Sequence, residues 1–151
     1  MRKPLVVVDA SVALAWYLPD SDANLTYAID VRDAQAGHRI ISLVPDFWPA
    51  EIAYRLLKAS RATPSPLVGS LAEATLFLDH FPQNIQFTPR NVSTIIELAT
   101  RYHLQGWDAL YFDVAVRSGA MLATLDGGLK TACRNFGVAL WQADEGPAVI
   151  A

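Results

Sequence analysis

The sequence predicts an α/β domain with a central parallel β-sheet flanked by helices on both faces. Short apolar β-type runs alternate with helical segments along the chain, and that alternation implies strands joined by crossover helices. The run Leu5-Val6-Val7-Val8 is continuously apolar rather than alternating, as in a strand covered on both sides. Acidic residues also close such runs: Asp9 follows the first, and Asp126 follows Met121-Leu122-Ala123-Thr124-Leu125.

The elements follow in order. After the strand Leu5 to Val8, Ser11 is placed to cap a helix through Trp16 to Leu18, which Pro19 stops. Asp22 is placed to cap a helix from Ala23 to Ala36, with Gly37 as its stop. Arg39 to Leu43 is the next strand. Pro45-Asp46 then starts a helix with Trp48, Ile52, Leu56 and Leu57 on an apolar face. Thr63-Pro64-Ser65-Pro66 breaks the chain but is too short to link two domains. Leu67 to Phe81 reads as a helix and Ile85 to Phe87 as a short strand. Pro89 to His103 is helical, with Val92, Ile95, Ile96 and Ala99 at helical spacing, and Gly106 ends that unit. Asp108 to Arg117 is a helix stopped by Gly119, Met121 to Thr124 a strand, and Gly127 to Phe136 a helix ended by Gly137. Val138 to Trp141 is the last strand, and the tail after Asp144 reads as irregular.

The 151 residues suit one domain spanning 1–151. Hydrophobic residues make up 52% and charged residues 18%, with a mean hydropathy of +0.22. Such a composition points to apolar surface covered by a partner, and a homodimer with a further groove for a protein segment is expected. The net charge of −3 gives no basic footprint of the kind nucleic-acid binding usually leaves. A metal-loaded carboxylate cluster is nevertheless locally cationic. The single cysteine, Cys133, excludes an internal disulfide framework and reads as a helical core position. Arg2 and Lys3 precede an apolar stretch, but Asp9 interrupts it too early for a signal peptide. No apolar run has the length of a membrane span. The expectation is a cytoplasmic chain without membrane attachment.

Four acids carry the candidate chemistry: Asp9, Glu51, Asp108 and Asp126. Acids at the C-terminal ends of strands lie where an open α/β sheet places its ligand crevice. Carboxylates converging there repel one another and call for a cation. Mg²⁺ or Mn²⁺ suits oxygen-only ligation, and phosphodiester hydrolysis is the obvious use. Each acid also has a plain reading. Asp9 and Asp126 would serve as turn residues or helix caps, and Asp108 as an N-cap beside Trp107. Glu51 would pair with Arg55 one turn on. Asp113 lies roughly 140° around the helix from Asp108 and is read as surface or interface. Asp46 is read as a helix-start residue. His38, His80 and His103 show no ligand spacing.

Four segments together resemble the acidic blocks of PIN domains, in particular VapC-type toxins of prokaryotic toxin–antitoxin pairs. They are Val6-Val7-Val8-Asp9-Ala10-Ser11-Val12-Ala13, Trp48-Pro49-Ala50-Glu51-Ile52, Trp107-Asp108-Ala109-Leu110-Tyr111, and Leu122-Ala123-Thr124-Leu125-Asp126-Gly127-Gly128-Leu129. They occur in the family's order over nearly the whole chain. The resemblance implies a ribonuclease whose Asp9, Glu51, Asp108 and Asp126 hold Mg²⁺ or Mn²⁺. It implies supporting roles for Ser11 and Thr124, and as partners an RNA substrate, a second copy and a cognate antitoxin. The acidic balance and Asp113 depart from that pattern.

Within this reading Asp9 is the central ligand, Asp108 and Asp126 complete the site, and Glu51 binds or orients the attacking water. Arg55, Lys58, Lys130 and Arg134 are candidate phosphate contacts, or else solvated helix charges. Two rivals remain. An aspartyl-phosphate phosphohydrolase would use Asp9 as nucleophile but wants a second Asp where Ser11 stands. A non-catalytic protein-binding domain is compatible with the apolar composition.

Overall fold

Val6, Val7 and Val8 have no exposed surface. Successive strand residues point to opposite faces, so both faces of the sheet are covered here. The computed structural model describes residues 2–81 and 83–143. Strand β1 (Leu5–Val8) leads into helices α1 (Ala10–Ala15) and α2 (Asp22–Ala36), and strand β2 (Ile41–Pro45) into helices α3 (Trp48–Arg61) and α4 (Leu71–Asp79). Strand β3 (Asn84–Gln86) precedes helices α5 (Val92–Tyr102) and α6 (Gly106–Ser118). Strand β4 (Met121–Ala123) and helix α7 (Gly127–Phe136) follow.

The sheet order is β3-β2-β1-β4, and all its pairings are parallel. The chain builds outward from β1 through β2 to β3, then returns to place β4 on the other side of β1. The C-terminal ends of β1 and β4 therefore meet at a topological switch point, where open α/β sheets hold ligands. The Asp9 N–H donates to the Ala123 carbonyl at 3.0 Å, carrying the pairing just past the strand ends.

One core joins the sheet residues Val44 and Leu122 to Trp48, Tyr111, Phe112 and Leu129 from the helices. Helix α6 is buried along Ala109 to Ala115, on every side rather than one. It packs against α5, α7 and strands β1, β2 and β4. Cys133 is buried and unpaired, and burial pushes its thiol up to about 11, so it packs as a small apolar group. Among the described residues no helix is long and apolar enough to cross a membrane.

Several elements differ from the sequence expectation. Asp9, not Ser11, occupies the N-cap of α1, and Ser11 lies within the helix. Ser21, rather than Asp22, caps α2 by accepting from the Asn24 N–H. Strand β2 extends to Pro45, and α3 starts at Trp48. Gly106 opens α6 instead of closing the previous helix, which His103 ends in a left-handed conformation. The segment from Val138 to Trp141 contributes only an isolated bridge between Leu122 and Leu140. Of the apolar stripe on α5, Val92 and Ile96 stay 72% and 60% exposed, and Leu98 is the residue buried. The expected irregular tail after Asp144 lies outside the described residues.

Candidate active site

Helices that cross over a parallel sheet run against its strands, so their N-termini gather at the sheet's C-terminal edge. The four acids sit at four such N-termini. Asp9 is the N-cap residue of α1 and Asp126 that of α7. Glu51 lies in the first turn of α3 and Asp108 in the first turn of α6. Carboxylates at these positions are favoured by the helix macrodipoles. The structure brings all four into the lining of one cleft of about 430 Å³.

Asp9 forms the floor and is only 5% exposed. Its Oδ2 accepts from the Ser11 and Thr124 hydroxyls, each at 2.7 Å. Those hydroxyls act in both directions. Ser11 Oγ accepts from the Leu125 N–H at 3.1 Å, and Thr124 Oγ1 from the Asp126 N–H at 3.0 Å. The loop after β4 is thus tied to the carboxylate after β1. Asp126 Oδ2 accepts from the Leu129 N–H at 2.9 Å, which caps α7.

Tyr111 is the residue sequence reading missed. Its phenol donates to Glu51 Oε2 at 2.8 Å and accepts from the Ala10 N–H at 3.2 Å, and the side chain is 1% exposed. It therefore ties Glu51 to the start of α1. Its place three residues after Asp108, on the same helical face, was the available signal. Asp20 and Asn24 also line the cleft, joined by a 2.8 Å hydrogen bond, and no sequence pattern marked them.

The electrostatics follow from burial and crowding. Burial pushes the Asp9 carboxyl above its ordinary range, against the pull of its hydroxyl partners. Burial likewise raises Glu51, helped by the charge of Asp9 and opposed by Tyr111 and Arg55. Asp108 is pushed up to about 6, first by burial and then by the charges of Asp126, Asp9 and Glu51. Burial and the neighbouring acids also raise the Tyr111 phenol, which keeps it a donor.

These are carboxylates short of counter-charge. Among the described residues no three His, Cys, Asp or Glu side chains converge closely enough to hold a metal as they stand. The donors are all oxygen, which fits Mg²⁺ or Mn²⁺ rather than a softer metal. Among the described residues no hydrogen bond engages the Asp108 carboxylate, and Glu51 and Asp126 each keep one carboxylate oxygen without a donor.

The other sequence candidates separate. Arg55 lines the cleft, whereas Lys58 stands one helical turn further, outside it. Lys130 and Arg134 do not line the cleft, and Arg134 donates to Thr131 Oγ1 at 3.3 Å. Asp113 is outside the cleft but is not at the surface. It is 7% exposed and pairs with Arg117 at 2.7 Å. Asp46 accepts from the Thr88 hydroxyl at 2.8 Å, joining the chain after β2 to the chain after β3.

An acid-lined cleft at the switch point of a parallel α/β sheet defines the class. The chain belongs to the PIN domain family, whose pattern it matches over residues 6–135. No curated protein sequence matches it. Among solved structures it is similar to PAE2754 from Pyrobaculum aerophilum, with 22% identity and a TM-score of 0.59, covering 85% of this chain and 79% of that one. It is also similar to VapBC2 from Rickettsia felis bound to a DNA fragment from their promoter. There the identity is 13% and the TM-score 0.59, covering 93% of this chain and 99% of the other. At these identities the likeness is one of fold.

Proposed function

We propose that this chain, read as one cytoplasmic domain over 1–151, is a metal-dependent ribonuclease. We further propose that it acts as the toxin of a toxin–antitoxin pair. The observation that carries the nuclease reading is the convergence of Asp9, Glu51, Asp108 and Asp126 on one cleft. Family membership supports the same chemistry. The likeness to a VapBC protein supports the toxin role and a cognate antitoxin partner.

Asp9, Asp108 and Asp126 would hold Mg²⁺ or Mn²⁺, with Glu51 as a further ligand or as the group that orients the attacking water. When bound, the metal would neutralise phosphate charge and supply an activated water at neutral pH. The chain's own residues prepare that site. Ser11 and Thr124 fix the Asp9 carboxylate through one oxygen. Tyr111 fixes Glu51 in the same way. Arg55, the cation that lines the cleft, is placed to take a phosphate oxygen. Ser11, two residues after Asp9, donates to that carboxylate and offers no second acid, which weighs against the aspartyl-phosphate alternative.

The test is incubation of total RNA with the purified chain in Mn²⁺ and in EDTA, with the cut ends mapped. Discrete Mn²⁺-dependent cleavage supports the reading. Intact RNA at saturating Mn²⁺ rejects it.

A further inference from the structure

A second groove, of about 560 Å³, adjoins the acidic cleft and shares Leu18 and Arg55 with it. Its size is that of a small-ligand site, roughly 300–1,000 Å³. Its charge is the reverse of the cleft's. The cleft is lined by Asp9, Asp20, Glu51, Asp108 and Asp126 with Arg55 as its cation. The groove is lined by Arg55 and Lys58 and by no acid, with Leu18, Pro19, Ala59, Ala62 and Pro66 as apolar wall. That wall is held in place: the Ser65 hydroxyl donates to the Ala59 carbonyl at 2.8 Å, and the Val68 N–H to the Tyr17 carbonyl at 2.8 Å.

We infer that this groove is a nucleotide subsite, which takes the residue of single-stranded RNA adjoining the scissile phosphate. The inference rests on the ribonuclease reading and gives it a strand path. A polyanion leaving the cleft past Asp20 meets an exposed carboxylate. Leaving past Arg55, it meets two cations one helical turn apart on α3. The wall is aliphatic, so a base there would meet apolar side chains and the Arg55 guanidinium, and a single strand can present the base face that a duplex keeps stacked inside. The segment from Ala62 to Pro66, which bears no motif, acquires a role in substrate contact.

The test is binding of a fluorescein-labelled single-stranded ribo-oligonucleotide, followed by anisotropy in EDTA over a range of salt. Lys58→Ala should weaken binding and reduce the slope of log affinity against log salt by about one, as loss of one phosphate contact does. Pro66→Glu, which sets a carboxylate in the groove, should weaken binding about tenfold or more by like-charge repulsion. Arg39→Ala removes an equal charge at the other end of the sheet, before β2, and should leave the slope unchanged. Melting temperatures check that each variant folds. A Lys58→Ala slope equal to wild type, or an equal loss in Arg39→Ala, overturns the subsite and leaves the groove to a protein partner. If wild type cuts RNA while the groove variants bind normally, the subsite alone fails. If the groove variants lose binding but wild type cuts no RNA, the ribonuclease reading fails instead.

Discussion

Tyr111 carries two hydrogen bonds that no motif announces. One reaches Glu51 and the other the first N–H of α1. Tyr111→Phe keeps the ring, which packs edge-on against Phe47 with centroids 5.2 Å apart. It removes the donor that orients Glu51 and strands the Ala10 N–H in the interior. Mn²⁺ affinity or cleavage should fall about 10–100-fold, as when other partners that orient metal ligands are lost. Stability should fall by about 1–3 kcal/mol, the cost of an unsatisfied buried donor. Calorimetric titration with Mn²⁺ and urea melting read the two effects separately. A normal Mn²⁺ affinity in the folded variant would reduce Tyr111 to a packing role. Asp108 offers a second test. Its raised pKa means that it holds its proton more tightly folded than unfolded. Its favourable contribution is complete below the ordinary value of 3.8 and is lost as pH rises through about 6. Metal-free Asp108→Asn should therefore gain melting temperature relative to wild type at neutral pH and lose that advantage near pH 4. An offset that does not change with pH would contradict the crowding of the acids.

At the scale of elements, α6 shows what periodicity could and could not reveal. The strands were legible because Val6, Val7 and Val8 form an unbroken apolar run. The acids were legible because they stand at strand ends and helix starts. The face of Asp113 was not. A turn of roughly 140° away from Asp108 suggests the surface only if one side of the helix is exposed, and α6 is buried along its middle. Asp113 instead meets Arg117, whose guanidinium also donates to the Phe87 carbonyl at 3.0 Å, linking α6 to the chain after β3. Asp113→Asn should leave Mn²⁺-dependent cleavage unchanged. It should cost about 1–2 kcal/mol, between the values for exposed and buried pairs, because Arg117 is half exposed. Parallel cleavage assays and thermal melts check both halves, and lost cleavage in a folded variant would contradict the site's boundary. Gly106 misled for a different reason. A glycine past one helix reads as a stop, but here His103 takes the left-handed cap and Gly106 opens the next helix. The segment Val138 to Trp141 resembled a strand in composition, yet only Leu140 bridges to β4.

Across the whole molecule, apolar side chains remain outside the core. Phe87 is 75% exposed, Val92 72%, Trp107 61% and Ile96 60%. The apolar composition leads to the expectation of a homodimer, and we propose that such a dimer covers side chains among these. Light scattering should give twice the chain mass, with a melting temperature that rises with protein concentration. A monomer at all accessible concentrations would contradict the dimer and leave the site untouched. A metal-dependent nuclease site in this cleft would depend most on Asp9, the most deeply buried of its four acids. Asp9→Asn keeps the shape and an oxygen to accept from Ser11 and Thr124, but removes the charge. Removing a buried, repelled carboxylate should hold or raise the metal-free melting temperature. The decisive measurement is Mn²⁺-dependent RNA cleavage by Asp9→Asn beside wild type. The expected result is a loss beyond about a hundredfold, more than the loss of an orienting partner causes. Cleavage at the wild-type rate by the folded variant would contradict it.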